Sequence, residues 1–402
     1  MTSWRTTERL TLLILIIIIG NLSTDLGFAQ DNQLKARMLA KKFLIADTHI
    51  DVPYRLQNGW EDVTSATESG DFDYPRAVAG GLDTVFMSIY TPADLLDNEG
   101  QPGGHWQLAN LLIDGVEAIA ARAPDKFVVV HEAEQAISAK QAGKIGLALG
   151  MENGSPIRTL QDLDHFHARG VRYITLAHSQ SNTISDSSYD EARPHTGLSE
   201  FGRQVVKHMN QLGIMVDVSH LSDEAIVDVL AVSTKPVVAT HSSVRHFTPG
   251  FERNLSDELI QAIAKNNGVV QINFGSSFLT AEANGWRNQV TFATETFQAE
   301  HQLAEDDERV AAFNAEYIES HPFPYADISD VVAHIEHVIK LVGVNYVGLG
   351  SDYDGVGDSL PTSMKDVASY PNLIAALLAK GYSAADIEKV MGGNLLRVWQ
   401  AN

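Results

Sequence analysis

Eight short apolar runs rich in Val, Ile and Leu punctuate the chain, at 43–46, 84–89, 146–149, 173–176, 215–218, 237–239, 269–272 and 346–349. Runs of this length, separated by longer stretches of helical periodicity, read as buried strands alternating with helices. Such an alternation calls for a parallel sheet covered on its faces, and eight units of it close into an α/β fold of the (β/α)8 TIM-barrel type. Helices are predicted at 31–42, 108–122, 199–211, 223–230, 257–265, 328–341, 364–380 and 384–390. No internal repeat or flexible linker breaks the order, so residues 31–402 read as one barrel domain. An acidic, helix-prone stretch at 281–327 separates the seventh run from the eighth. An insertion there either forms a lid over a site or elaborates the fold.

A parallel barrel brings the C-terminal ends of its strands to one rim, where this fold builds its sites. Polar residues of one kind gather at those ends: His49 and Asp51, Glu152, His178, His220, His241 and Asp352. A lone histidine after an apolar run usually serves packing, but a set spread over successive strand ends points to chemistry. In an extended strand i and i+2 share a side, so His49 and Asp51 present two ligands together. With Glu152, His220 and His241 they make five ligands of the type zinc accepts. A catalytic metal ordinarily uses about three protein ligands and a water, so five favour two metals sharing one. A carboxylate has the two oxygens needed to bridge, and Glu152 is the candidate. The chain has no cysteine, which excludes disulfides and leaves His, Asp and Glu as the zinc ligands.

The net charge of −22 argues against a nucleic-acid partner, because a phosphate backbone must be met by a Lys/Arg face. The first thirty residues carry Arg5 and Arg9, an apolar run at 10–19, a polar stretch and the small residues Gly27 and Ala29. That order predicts a signal peptide at 1–30 and a secreted or periplasmic protein. The run is shorter than the ~20 residues a membrane span needs, so no stable membrane insertion is expected after cleavage; an uncleaved anchor is the alternative.

Longer motifs occur in a fixed order: Asp47-Thr48-His49-Ile50-Asp51-Val52-Pro53, Gly150-Met151-Glu152-Asn153-Gly154, Gly170-Val171-Arg172-Tyr173 and His178-Ser179. They continue with 217–222, His241-Ser242-Ser243, Glu252-Arg253-Asn254-Leu255-Ser256-Asp257, 348–356, Tyr370-Pro371 and 393–398. Over essentially the whole of 31–402 this series resembles the membrane (renal) dipeptidase family. The resemblance implies a metallo-dipeptidase of the metal-dependent hydrolase barrel type, with two zinc ions per chain. His49, Asp51 and Glu152 would hold one zinc, and Glu152, His220 and His241 the other. His178 would lie near the substrate carbonyl, Arg253 would receive a substrate carboxylate, and Asp352 would shuttle the proton. The expected reaction is hydrolysis of L-Xaa-L-Xaa and L-Xaa-D-Xaa dipeptides by a metal-bridging hydroxide. Small dipeptides are then the partners, and a homodimer is compatible with the sequence.

Two departures limit the carry-over: the disulfides of animal relatives cannot form here, and 281–327 matches no motif, so substrate preference stays open. The alternative is a related two-metal amidohydrolase acting on a β-lactam, lactone or phosphoester, which has no need of Arg253. A zinc-binding protein without turnover would have no need of Asp352. Zinc suits the mixed His/carboxylate set, and manganese or cobalt could take its place.

Weaker signals receive plainer readings. His334 and His337 flank Glu336 on a helix and read as a solvated face rather than a metal pair, and His165 and His167 as helix surface. Asp354 reads as ordering the turn at the last strand end. Asp47 is either an acceptor behind a metal-binding histidine or a structural hydrogen-bonding group. Ser242 and Ser243 lack the glycine pattern of a nucleophile elbow.

Overall fold

Nine parallel strands make one sheet in the computed structural model, which describes residues 30–95, 104–304 and 306–402. The signal peptide predicted at 1–30 falls, apart from Gln30, outside the described residues. The strands are β1 (Ile45–Ile50), β2 (Leu82–Tyr90), β3 (Phe127–Val129), β4 (Ile145–Glu152), β5 (Val171–Thr175), β6 (Met215–Asp217), β7 (Val238–Ala239), β8 (Val269–Ile272) and β9 (Val347–Leu349). Eight of them follow the order β1-β2-β4-β5-β6-β7-β8-β9, and helices fill the crossovers that parallel neighbours require. First and last strands meet through the Ile50–Tyr353 bridge, with Asp51 N donating to Tyr353 O at 2.9 Å and Asp352 N to His49 O at 3.1 Å. Thr48 Oγ1 adds a bond to Leu349 O at 2.9 Å. The result is the predicted (β/α)8 barrel.

β3 is the strand that sequence reading missed. It pairs only with the start of β4, Phe127 opposite Ile145, and lies off the barrel path. Three residues are too few for a periodic signal.

Two layers of apolar side chains hold the barrel. One lies between strands and helices, and the other fills the barrel floor with Ala46, Phe86, Ala148, Tyr173, Met215, Val238 and Val269, capped by Leu395, Val398 and Trp399. The C-terminal helix Asn394–Ala401 thus closes the bottom, which directs solvent access to the opposite rim. In β4 the inward positions run Ala148, Gly150, Glu152, so the pleat that buries an alanine in the floor lifts a carboxylate to the mouth.

Several element boundaries differ from expectation. The first run, predicted at 43–46, starts at Ile45 and continues through His49, since the polar motif itself is strand. The helix predicted at 364–380 is a 3-10 turn at Val367–Ser369 followed by Tyr370–Ala379. Pro371, without an N–H, belongs to the first turn of that helix and sets its start. The helix predicted at 384–390 ends at Glu388 and passes into a π-turn at Lys389–Gly393. Residues 281–327 contain two helices, Ala281–His301 and Glu308–Ser320, whose Phe297 and Phe313 rings stack 4.3 Å apart. The end of this hairpin is latched to the loop after β9 by Tyr325 Oη donating to Asp358 Oδ2 at 2.8 Å. Among the described residues no helix is long and apolar enough to cross a membrane.

His334 is not on a solvated face. It is fully buried, accepting from Val244 N at 3.0 Å through Nδ1 and reaching Leu279 O at 2.9 Å through Nε2. His337 pairs with Asp257 at 2.8 Å. His165 is half-buried, stacked on Trp106 and bonded to Asn110.

Candidate active site

Glu152 ends β4 at the barrel mouth and is 4% exposed. Its two oxygens face different partners. Oε2 lies 3.3 Å from His49 Nε2 and accepts from Ser88 Oγ at 3.2 Å. Oε1 lies 3.1 Å from His220 Nε2 and 3.3 Å from His241 Nε2. His49 Nε2 also stands 3.5 Å from Asp51 Oδ2. One half of the cluster is therefore His49, Asp51 and an oxygen of Glu152, and the other half is His220, His241 and its second oxygen.

Each candidate ligand arrives by a different local device. His49 is in β1, where pairing with β2 is irregular between Asp47 and Ile50. Asp51 lies just past the strand as the N-cap of the helix Val52–Asn58, so a turn, not the strand pleat, brings the pair together. His220 follows β6 with φ +69°, a left-handed backbone unusual for a residue with a side chain. His241 follows β7, and its Nδ1 lies 2.8 Å from Thr240 Oγ1, which donates onward to Asp217 Oδ2 at 2.6 Å. Since that hydroxyl proton is committed to Asp217, Thr240 accepts from Nδ1–H of His241 and leaves Nε2 bare toward Glu152.

Charge follows the same division. Burial, with the Arg253 charge, holds His220 and His241 well below the usual imidazole range, so both are neutral. Burial also pulls on His49, but Tyr173, Glu152 and Asp51 outweigh it and lift the ring well above that range. Glu152 would be raised by burial, yet the histidines around it hold it well below the ordinary carboxylate value.

The donor set fits a divalent cation. Carboxylates and imidazoles, His49 included once a cation takes the place of its proton, at bonds of about 2.0–2.2 Å place tetrahedral neighbours roughly 3.3–3.6 Å apart. In the His49 half the separations of 3.3 and 3.5 Å match that spacing, while in the other half Glu152 lies 3.1 and 3.3 Å from His220 and His241, whose Nε2 atoms are 2.8 Å apart, closer than two ligands of one ion. His49 Nε2 and Asp51 Oδ1 are buried without a hydrogen-bond partner, as atoms reserved for a metal would be.

The other predicted residues ring this cluster. His178, with an 18% exposed side chain, is the most open of the four histidines, and its Nε2 is the farthest from Glu152, at 3.5 Å. Its ring packs between His220 and Tyr90, and burial lowers it into the neutral form. Arg253 is 3% exposed, donates from Nη1 to Ser242 Oγ at 2.8 Å and from Nη2 to His241 O at 2.9 Å, and lies over the Phe278 ring. Its Nε has no partner. Asp352, with φ +63°, follows β9, and burial pushes its carboxyl up to about 7.

Sequence reading missed the residues behind these. Asn273 Nδ2 donates to Asp352 Oδ2 at 2.7 Å, and Asn273 directly follows β8, where the strand-end rule would have found it. Asp217 was visible at a strand end, but its partner Thr240 carries no charge to draw notice. Tyr173, whose hydroxyl lies 2.8 Å from His49 Nδ1, sits inside an apolar run. Asp47 accepts from His49 N and Ser351 N, both at 3.0 Å, and from Tyr370 Oη at 2.7 Å, so it braces backbone rather than an imidazole. Asp354 accepts from Arg55 Nε at 2.9 Å and Asp71 N at 2.6 Å, which orders the turn.

Fold and site together define a barrel metallohydrolase. The family model described as membrane dipeptidase, peptidase family M19, matches residues 33–402, and the chain belongs to that family. It is accordingly a metallopeptidase, a dipeptidase that hydrolyses peptide bonds. Dipeptidase tcpJ of Claviceps purpurea is 32% identical over 334 residues, covering 82% of this chain and 69% of that protein. Uncharacterized dipeptidase C965.12 of Schizosaccharomyces pombe is 30% identical over 387 residues, 92% of this chain and 82% of that one. Among solved structures, the probable dipeptidase PvdM from Pseudomonas aeruginosa superimposes with a TM-score of 0.79 at 26% identity, over 92% of this chain and 98% of its own.

Proposed function

We propose that this dipeptidase binds two zinc ions and hydrolyses both L-Xaa-L-Xaa and L-Xaa-D-Xaa dipeptides. The observation that carries the two-metal reading is the division of Glu152: Oε2 faces His49, and Oε1 faces His220 and His241. His49, Asp51 and Glu152 would hold one ion, and Glu152, His220 and His241 the other. When bound, the pair supplies an activated water nucleophile at neutral pH and a Lewis acid for the scissile carbonyl.

The remaining work falls to this chain's own side chains. Arg253 receives the substrate's free α-carboxylate. A guanidinium carries five donors, and two hydrogen bonds to the wall leave others for a ligand. Neutral His178, at the open edge of the cluster, donates to the carbonyl oxygen as negative charge builds there. Asp352 takes the proton released by the attacking water and delivers it to the amine nitrogen as the C–N bond breaks. On the same reading 1–30 is an export signal, 31–402 is one catalytic domain acting outside the cytoplasm, and the hairpin at 281–327 is a lid at the rim.

The test is hydrolysis of a panel of L,L- and L,D-dipeptides by the purified protein, with bound metal quantified and a chelated control. Turnover abolished by chelation, with about two zinc per chain, is the expected result. Two zinc with no dipeptide cleaved would reject the substrate assignment in favour of a lactam, lactone or phosphoester.

A further inference from the structure

In β4, Gly150 occupies an inward position between Ala148 and Glu152, where a side chain would ordinarily add to the core. Its partner across the ladder is Tyr173 of β5. A Cβ at position 150 would lie 2.0 Å from Tyr173 Cζ. Glycine inside a strand marks a close approach, and here the approaching group is the phenol ring. That ring is fully buried among floor residues, and its hydroxyl ends 2.8 Å from His49 Nδ1.

We propose that Tyr173 is a positioning residue for His49, its hydroxyl fixing the imidazole so that Nε2 faces Asp51 and Glu152, and that it thereby sets metal affinity in that half of the site. The proposal rests on the two-metal reading above. An imidazole can turn over about Cβ–Cγ, which puts Cδ2 where Nδ1 was and Cε1 where Nε2 was; a hydrogen bond to Nδ1 selects the orientation that keeps Nε2 toward the carboxylates. A hydroxyl both donates and accepts, so Tyr173 holds the ring whether or not Nδ1 carries the hydrogen. A carboxylate in that place would accept only, and would add a third negative charge beside Asp51 and Glu152. The other half is built differently: Thr240 and Asp217 hold His241, and the buried His220 Nδ1 has no hydrogen-bond partner. Loss of the phenol hydroxyl therefore acts first on the half that contains His49, and reaches the other only through Glu152 and the His49–His241 stack.

The experiment is zinc titration of the metal-free, full-length protein, wild type against Tyr173→Phe, by calorimetry and competition with a chromophoric chelator. The expected variant keeps one dissociation constant and weakens the other about 10- to 100-fold, the usual scale for loss of a partner behind a metal ligand. Circular dichroism and thermal unfolding of the metal-free proteins check that the near-isosteric change leaves the fold intact. In an Asp51→Asn background, which already disables the same half, Tyr173→Phe should add little further loss. Two unchanged constants, or equal weakening at both sites, overturns the proposal. A wild-type stoichiometry of one overturns the two-metal reading instead, and the same variant then decides whether the hydroxyl governs the single site.

Discussion

Asp352 is held in a way that suits a group passing a proton. Its backbone is left-handed, its amide is tied to His49 O, and Asn273 occupies one carboxylate oxygen. Gly355 behind it must lack a side chain, since a Cβ there would sit 2.2 Å from both Asp352 Oδ1 and Asp51 Oδ2. Asparagine tolerates the left-handed region and matches the carboxylate in shape, so Asp352→Asn removes proton exchange with little change in packing. The expected outcome is a kcat lower by roughly 10²–10⁴ with metal content unchanged by elemental analysis. Near-normal turnover in that variant would remove Asp352 from the mechanism. At this scale the charged residues were legible, because a histidine or carboxylate closing an apolar run stands out. Tyr173 and Thr240 were not. A phenol inside a hydrophobic run reads as core, and only the fold reveals that its hydroxyl reaches a ring 124 positions away.

Among the elements, the helix Ile328–Val342 does more than cover the barrel. Its His334 joins the loop after β7 to the short helix Ser276–Leu279 after β8 by one acceptor and one donor, an arrangement available only to the neutral ring. Burial holds this histidine at about 4, below its unfolded value of 6.5. The unfolded chain therefore binds the proton first, so the stability His334 contributes is complete above 6.5 and drains away as pH falls toward 4. The limiting loss is on the order of 3 kcal/mol. Urea unfolding of wild type and His334→Gln between pH 7 and 4.5 measures it: the wild type should lose more stability on acidification. Parallel pH slopes would show that the histidine is not the sensor. The sequence misplaced His334 because its spacing from His337 suits an exposed face as well as a buried one, and only the packing of that loop and that short helix decides. Short helices such as Tyr74–Gly80 and Leu160–Ala168 escaped notice for a related reason: two turns give too little periodicity.

At the scale of the molecule, the barrel was readable because eight apolar strands recur with covered crossovers, a pattern few other folds satisfy. The hairpin at 281–327 was visible only as an insertion, since its stacked aromatic residues belong to no repeating unit. A centre that draws Asp51, Glu152 and Asp352 into one buried mouth is costly to assemble without cations, so zinc should couple to folding. Binding at 100 times Kd adds about 2.7 kcal/mol per site, and for a chain of this size two sites should raise Tm by roughly 5–7 °C. Calorimetry of chelated and zinc-loaded protein checks this, and coincident midpoints would sever metal binding from folding.

The barrel's seam has a consequence for biosynthesis. Strand β1 closes against the segment after β9 through Asp51 with Tyr353 and His49 with Asp352, the same residues that form one side of the site. A ribosome makes the two edges of that seam far apart in time. A truncated or stalled product that stops between His241 and Asp352 carries all four histidines of the cluster yet lacks both the closing edge and Asp352. The two edges of the candidate site therefore come together only after the last strand has been made.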